Sequence, residues 1–178
     1  MNTNLKSIYH KVDLCVVGGG LAGMCAAVAA ARHGIKVALM HDRPVYGGNA
    51  SSEIRMWVCG AHGKNNRETG IIEEIALETL YRNPYRRYPM WDAILFELIN
   101  NEKNITPILN CSCNDIEMDG SKIKKVIGWQ TTTQCYHIIE AKLFADCSGD
   151  SILAPLSGAE YRWGRESQNE FGESIAPE

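Results

Sequence analysis

The sequence has little of what would direct a chain into a membrane, out of the cell or onto nucleic acid. Residues 1–11 contain Asn, Lys and His side chains and no apolar core, so they do not predict a signal peptide. The most apolar stretch, 12–31, is interrupted by Asp13 and by glycines, which favours a strand, a turn and a helix over a membrane span. The net charge of -3 gives no general attraction to nucleic acid or to an anionic bilayer. A cytoplasmic protein is therefore expected.

The seven cysteines form no pattern that indicates disulfides or a metal site. Their number is odd, they are spread along the chain, and Cys15 and Cys25 fall on faces expected to be buried. Cys111 and Cys113 share one face of a predicted strand, but no two further ligands accompany them at matching spacing. Reduced, packed thiols and no bound metal are the expectation.

What the sequence does contain is a glycine cluster between a buried strand and an alanine-rich helix. The apolar run Val12–Val17 predicts the strand, and Leu21–His33 predicts the helix. Between them Gly18, Gly20 and Gly23 follow the spacing G-x-G-x-x-G, which allows a sharp turn, close approach to a pyrophosphate and tight helix packing, in that order. The motif predicts a dinucleotide cradle at the helix N-terminus, with a tight turn that binds nothing as the alternative.

The end of the next predicted strand, Lys36–Met40, is where an adenosine ribose lies in such a fold. The position that usually carries an acid falls on His41, and the acid Asp42 follows one residue later. Three contacts stay open: Asp42 reaches the ribose through a shifted strand end, His41 bonds it in place of the acid, or Arg43 pairs with a 2′-phosphate. A solvated charged turn is the fourth alternative.

Periodicity along the rest of the chain predicts an α/β fold over residues 1–160. Its parts are helices at 69–80, 90–100 and 152–156, a buried strand at 142–146, and strands at 105–111, 115–118, 122–128 and 136–140. Asp119-Gly120 between alternating segments is a strong hairpin signal. We expect a Rossmann-like, mainly parallel sheet flanked by helices, with an inserted three-stranded antiparallel meander. The polar segment 161–178 predicts a tail leading out of this domain.

Three motifs stand in a fixed order along the chain, at Val16–Gly23, Asp42–Glu53 and Ala145–Asp150. Together they resemble the FAD-dependent oxidoreductases of the glutathione-reductase-like superfamily, in particular a bacterial branch often found among carbohydrate-degrading genes. The resemblance spans nearly the whole chain. Because members of the superfamily are several times longer, it implies an N-terminal FAD-binding portion, truncated before a substrate domain that a further segment or a second chain would supply.

The resemblance implies FAD as the cofactor and assigns each motif to one part of it. The pyrophosphate would be held by Gly18, Gly20, Leu21, Ala22 and Gly23. The adenosine ribose would lie near His41, Asp42 and Arg43. The phosphate and ribityl region would follow Gly47, Gly48, Asn49, Ala50 and Ser51. The adenine would lie near the backbone of Cys113, and the pyrophosphate side would be closed by Ser148, Gly149 and Asp150.

The implied function is transfer of a hydride or an electron pair through the flavin ring to or from a small-molecule, carbohydrate-related substrate. Two alternatives stay open: an NAD(P)-dependent dehydrogenase domain with the same cradle, and a nucleotide-binding module without catalysis. The glycine pair Gly47-Gly48 and the later turn Ser148-Gly149-Asp150 disfavour the first alternative.

No catalytic residue is assigned from the sequence. Cys59 and His62 are candidates for a thiolate–imidazole pair, against a packed cysteine and a surface histidine. Arg55 is a candidate for holding an anion, against an ion pair with Glu53 or Glu73.

Overall fold

The computed structural model describes residues 5–61 and 63–175, in which the chain folds around one mixed sheet. The strands are β1 (Ser7–Val17), β2 (Val37–Met40), β3 (Ile105–Ile108), β4 (Cys111–Asp119), β5 (Lys122–Gln130) and β6 (Cys135–Asp146). The helices are α1 (Leu21–Arg32), α2 (Gly70–Arg82), α3 (Tyr88–Asn100), α4 (Leu153–Ser157) and α5 (Gln168–Phe171). The six strands lie in the order β3-β2-β1-β6-β5-β4.

One half of the sheet is parallel. Strands β3, β2, β1 and β6 run in the same direction, and every residue of β2 is buried. A continuous apolar strand of this kind suits a parallel sheet with both faces covered. On one face Val16 and Leu39 pack with residues of α1, α2 and α3, and on the other Cys15 and Met40 pack with Leu153 of α4. The sheet is the α/β architecture that the sequence predicts.

The other half of the sheet is the expected antiparallel meander. Strands β4 and β5 pair through a turn at Gly120, whose φ of 61° lies in the left-handed region, and β5 pairs antiparallel with β6. Asp119 faces Lys122 across this turn. The hairpin predicted from Asp119-Gly120 is confirmed. This pair of residues suits the backbone conformation that the turn requires.

Three strand boundaries differ from the sequence expectation. The segments 136–140 and 142–146 form one strand, because β1 pairs with β6 from Ser7↔Tyr136 to Val17↔Asp146. The meander and the parallel strands are therefore parts of one sheet, and β1 begins at Ser7 rather than at residue 12. The segment 105–111 divides into β3 and β4, since Asn110 takes a left-handed φ of 53°.

Asn83 fixes the corner between the helices α2 and α3. Its side chain is buried, its Oδ1 accepts from the Arg87 N–H at 2.8 Å, and its Nδ2 donates to the Arg87 carbonyl at 2.8 Å. This buried amide therefore joins the residue that ends α2 to the residue that precedes α3.

The last part of the described chain, 161–175, is exposed and contains the short helix α5 and an ion pair between Arg162 and Glu170. That it leads into another domain stays a prediction. Among the helices of the described residues, none has the length and apolarity needed to cross a bilayer.

Candidate cofactor-binding site

Three turns lie side by side where β1, β2 and β6 end. The Gly18 N–H donates to the Met40 carbonyl at 2.8 Å, and the Cys147 N–H donates to the Val17 carbonyl at 2.7 Å, so the sheet's hydrogen bonds continue into the turns. The Gly47 N–H donates to the Gly19 carbonyl at 2.9 Å, in a parallel bridge between the two glycine segments. The three motifs that the resemblance assigns to one cofactor therefore lie next to one another.

Gly18 and Gly23 are required by the close approach of these turns. A Cβ on Gly18 would overlap the Cys147 carbonyl oxygen and lie 2.6 Å from the Ser148 nitrogen, and the φ of Gly18 is 109°. A Cβ on Gly23 would overlap the Gly18 carbonyl oxygen. A side chain at Gly18 would force the first and third turns apart, and one at Gly23 would force α1 away from the first turn.

Gly20 differs, because the space beside it is open. Its φ of -66° suits any residue, and the nearest atom to a Cβ built there is the Gly48 Cα at 3.9 Å. Gly20 precedes α1, whose first turn contains no acidic residue and, within the described ranges, receives no side-chain cap. Main-chain N–H groups and the positive end of the helix dipole therefore face an uncrowded surface.

The predicted site residues divide into buried supports and an accessible rim. The buried members are Gly18, Gly23, His41, Gly47, Ala50 and Ser51. The members that are half-buried or exposed are Gly20, Leu21, Ala22, Asp42, Arg43, Gly48, Asn49, Cys113, Ser148, Gly149 and Asp150. Only the second set offers surface to a ligand, and the first set determines its shape.

His41 lies beneath the glycine-rich turn with both ring nitrogens engaged. The residue is 4% exposed, its Nδ1 accepts from the Gly19 N–H at 2.9 Å, and its Nε2 lies 3.1 Å from the Val45 carbonyl. A carbonyl only accepts, so Nε2 carries the hydrogen and the ring is the neutral Nε2–H tautomer. The ring also stacks on Tyr46 at a centroid distance of 6.0 Å. No sequence signal indicates this supporting role.

Burial lowers the pKa of His41 below the ordinary histidine value. The carboxylate of Asp42, whose Oδ1 lies 3.3 Å from Nδ1, and the Val45 carbonyl act in the opposite direction, with smaller effects from Arg43 and Glu53. Because Nδ1 already accepts from an N–H, the Asp42 contact becomes a hydrogen bond only if Nδ1 gains a proton. At neutral pH the ring is uncharged.

Asp42 and Arg43, which follow the end of β2, differ in exposure and in partners. The Asp42 side chain is 61% exposed, whereas Arg43 forms an ion pair of 3.5 Å with Glu53. The Arg43 carbonyl accepts from the Asn110 N–H at 3.2 Å. An exposed carboxylate therefore stands beside the turns, and the arginine already has a carboxylate partner.

Asp146 shapes the third turn, a role that the sequence analysis missed. Its Oδ1 accepts from the Ser148 N–H at 3.0 Å and from the Ser148 hydroxyl at 2.7 Å, and its Oδ2 accepts from the Leu153 N–H at 2.7 Å. The Ser148 oxygen in turn accepts from the Ile152 N–H at 3.1 Å. The available signal was an aspartate followed by a small polar residue, which is typical of turns closed by a side-chain oxygen.

Comparison with protein families decides the identity of this arrangement. The family model described as FAD dependent oxidoreductase matches residues 13–178. The chain belongs to the FAD dependent oxidoreductase family. Members bind FAD, so FAD is the cofactor that the three turns must accommodate.

Curated relatives and solved structures agree with this family. Glycerol-3-phosphate dehydrogenase of Mycobacterium leprae is 35% identical over 69 residues, which cover 39% of this chain and 12% of the relative. Glycerol-3-phosphate dehydrogenase from Bacillus halodurans, solved in complex with FAD, has a TM-score of 0.54 at 16% identity, with 83% of this chain and 36% of that chain covered. The myxobacterial FAD-dependent halogenase CndH has a TM-score of 0.56 at 17% identity, with 79% and 38% covered. The structures show the same fold, and this chain spans well under half the length of each relative.

The residues of this FAD dependent oxidoreductase family member fit a dinucleotide. The open space beside Gly20 and the uncapped start of α1 offer N–H groups to a diphosphate, with no carboxylate in the first turn of the helix to repel it. The exposed Asp42 stands at the end of the neighbouring strand. These features are the ones a dinucleotide with a diphosphate bridge requires.

The remaining candidates lie at the edges of the site or outside it. Cys113 is half-buried on β4, where burial and the nearby Asp146 raise its pKa to about 11. Arg55 stacks on Tyr88 at 5.5 Å and donates from Nε to the Ser52 carbonyl at 3.0 Å, rather than pairing with Glu53 or Glu73. Cys59 is exposed, and His62 lies outside the described residues, so the thiolate–imidazole pair stays a hypothesis.

Proposed function

We propose that this chain is the FAD-binding portion of a flavin-dependent oxidoreductase that transfers a hydride or an electron pair to or from a small, carbohydrate-related substrate. The observation that carries the proposal is the convergence of the turns after β1, β2 and β6 beside the uncapped start of α1. The flavin ring supplies the redox chemistry when FAD is bound, and the chain supplies position and electrostatics.

In this proposal the half-buried and exposed site residues bind FAD, and the buried site residues hold the turns in place. The first N–H groups of α1, beside Gly20, hold the pyrophosphate, because they are unpaired and lie at the positive end of the helix dipole. Asp42 accepts hydrogen bonds from the ribose hydroxyls, since its carboxylate is exposed while both nitrogens of His41 are engaged. Arg43 is a poor candidate for a 2′-phosphate, because Glu53 is its partner.

Two observations support the proposed substrate class. The sequence resembles a branch associated with carbohydrate degradation, and the curated relatives are named for glycerol 3-phosphate, which is also a hydroxylated small molecule. We propose that substrate contacts come from a further domain or a second chain, as the longer chains of the relatives suggest. A cytoplasmic location also stays part of the proposal, supported by the thiols of Cys15 and Cys111, which are packed in the apolar core.

Spectroscopy and titration test the proposal. Purified protein should show the visible absorption of oxidised flavin, or should bind added FAD in preference to NADH. The variant Gly20→Ala should keep the wild-type fold, because its Cβ meets nothing closer than 3.9 Å, but should weaken FAD binding about tenfold or more by blocking the approach of the diphosphate.

Three results would contradict the proposal. Preference for NADH would favour the dehydrogenase alternative, and failure to bind either dinucleotide would favour a module without this cofactor. Unchanged FAD affinity in Gly20→Ala would show that the diphosphate does not lie against this turn.

A further inference from the structure

His41 connects four separate segments around the end of β2. Its ring bonds the glycine-rich turn at Gly19 and the following loop at Val45, and its main chain bonds β3 and β4. The His41 N–H donates to the Ile108 carbonyl at 2.8 Å, and its carbonyl accepts from the Cys111 N–H at 2.8 Å. The position of Gly19 is therefore tied to the sheet through one imidazole ring.

The ring also fills the space directly below Gly19. A Cβ built on Gly19 would lie 2.6 Å from the ring carbon Cγ of His41 and 2.8 Å from Cδ2. The ring is buried and stacked on Tyr46, so it has little freedom to move. Its displacement would remove the support under the turn. Gly19 lies between Gly18 and Gly20, so this support acts on the segment that faces the cofactor.

We propose that His41 is a positioning residue, which holds the nucleotide-binding turn in its binding-competent form only while its ring is neutral, and so makes cofactor binding sensitive to acid. The inference rests on the proposed FAD-binding function. It concerns a residue that does not itself touch the cofactor.

The hydrogen-bond roles explain the sensitivity. Proton uptake at Nδ1 turns the acceptor of the Gly19 N–H into a donor, so two N–H groups would face each other where a 2.9 Å hydrogen bond now stands. The protonated Nδ1 would instead donate a hydrogen bond to Asp42 Oδ1, which lies 3.3 Å away. One proton therefore releases Gly19 and also engages the carboxylate proposed for the ribose. Both changes weaken binding of the dinucleotide.

Burial and the surrounding charges set the pH range in which His41 takes up a proton. Among the described residues, the charged groups that influence His41 are Asp42 and Glu53, which favour its charged form, and Arg43, which opposes it. Tyr46 stacks on the His41 ring, and burial raises the pKa of this phenol, so it stays neutral. Gly19 and Ile108 contact His41 through main-chain groups. Burial outweighs the carboxylates and lowers the pKa of His41 below the usual value of about 6.5. Binding should be constant above about pH 6.5 and should weaken as the pH falls below it, because the free protein then takes up a proton that the complex excludes.

The test compares FAD affinity between about pH 5 and about pH 8 for wild type, His41→Gln and His41→Ala. Glutamine can accept from the Gly19 N–H with Oε1 and donate to the Val45 carbonyl with Nε2, yet it does not titrate. We expect the wild-type Kd to rise by up to about tenfold for each pH unit below the His41 pKa. His41→Gln should bind within about threefold of wild type at the upper pH and show a flat profile, whereas His41→Ala should bind at least about tenfold more weakly throughout.

Circular dichroism at each pH distinguishes lost binding from lost folding. The proposal is overturned if His41→Gln keeps the wild-type acid sensitivity, or if His41→Ala binds FAD as wild type does at the upper pH. If wild type binds no FAD at all, the proposed function fails. The contact between His41 and Gly19 can then still be tested through the NMR chemical shift of the Gly19 amide. That shift should follow the His41 titration in wild type and be constant with pH in His41→Gln; a constant shift in wild type overturns the inference.

Discussion

Replacing Gly18 with alanine should destabilise the protein much more than the same change at Gly34. Both glycines have a left-handed φ, 109° at Gly18 and 83° at Gly34, so each alanine costs about 1–2 kcal/mol in backbone strain. At Gly34 the described residues leave the space around the new Cβ empty within 4 Å. At Gly18 the Cβ overlaps the Cys147 carbonyl, and moving that backbone adds about 1–3 kcal/mol. Gly18→Ala should therefore lose about 2–5 kcal/mol of unfolding free energy in total.

Urea unfolding followed by tryptophan fluorescence and circular dichroism measures this difference. For a chain of this length, each 1 kcal/mol corresponds to about 2–4 °C in Tm, so thermal melts provide a second reading. The extra loss at Gly18 reports the packing of the turn after β1 against the turn after β6. Equal losses in the two variants would show that these turns do not touch, and the shared cofactor site would lose its geometric basis.

Three further predictions concern groups that support the fold. Burial lowers the pKa of both His10 and His137. Their neutral forms therefore stabilise the fold above about pH 6.5, and this stability is lost as the pH falls. Because glutamine does not titrate, His137→Gln should show a smaller difference between its urea midpoints at about pH 7.5 and about pH 5 than wild type. Asp146→Ala should cost about 1–2 kcal/mol in urea unfolding, because the third turn and the start of α4 lose their acceptor. Asn83→Ala should cost about 0.5–1.5 kcal/mol by the same assay, since the Arg87 N–H loses its acceptor and the Arg87 carbonyl keeps only the Trp91 N–H as a donor.

The parts of the fold that the sequence predicts are those fixed by near neighbours along the chain. The apolar run of β2, the alanine-rich α1 and the turn at Asp119-Gly120 each depend on a few adjacent residues, and each is found where expected. The length of β6 was not predictable in this way. Its continuity depends on β1, and an ion pair of 2.6 Å between Lys142 and Asp13 lies where a break was expected.

The candidate site divides along the same line. The spacing of Gly18 and Gly23 is a local signal, because each glycine is needed for a turn or a close approach that the motif itself creates. The roles of His41 and Asp146 depend on where distant segments lie after folding. A polar residue directly after four buried strand residues was the available sign that His41 is itself buried, but nothing in the sequence shows that Gly19 supplies its partner.

Acid acts on this protein at two separate histidine sites, which allows its effects on folding and on binding to be separated. One site is the pair His10 and His137. Each ring is held in one tautomer, because Gln130 Oε1 accepts from His137 Nε2 at 3.0 Å and His137 Nδ1 then accepts from His10 Nε2 at 2.9 Å. This pair joins β1 to β6 near the beginning of both strands, whereas His41 supports the nucleotide-binding turn where β1 ends. Acid should therefore lower stability through both sites but cofactor affinity through His41 alone, so His137→Gln should leave the pH dependence of FAD binding unchanged.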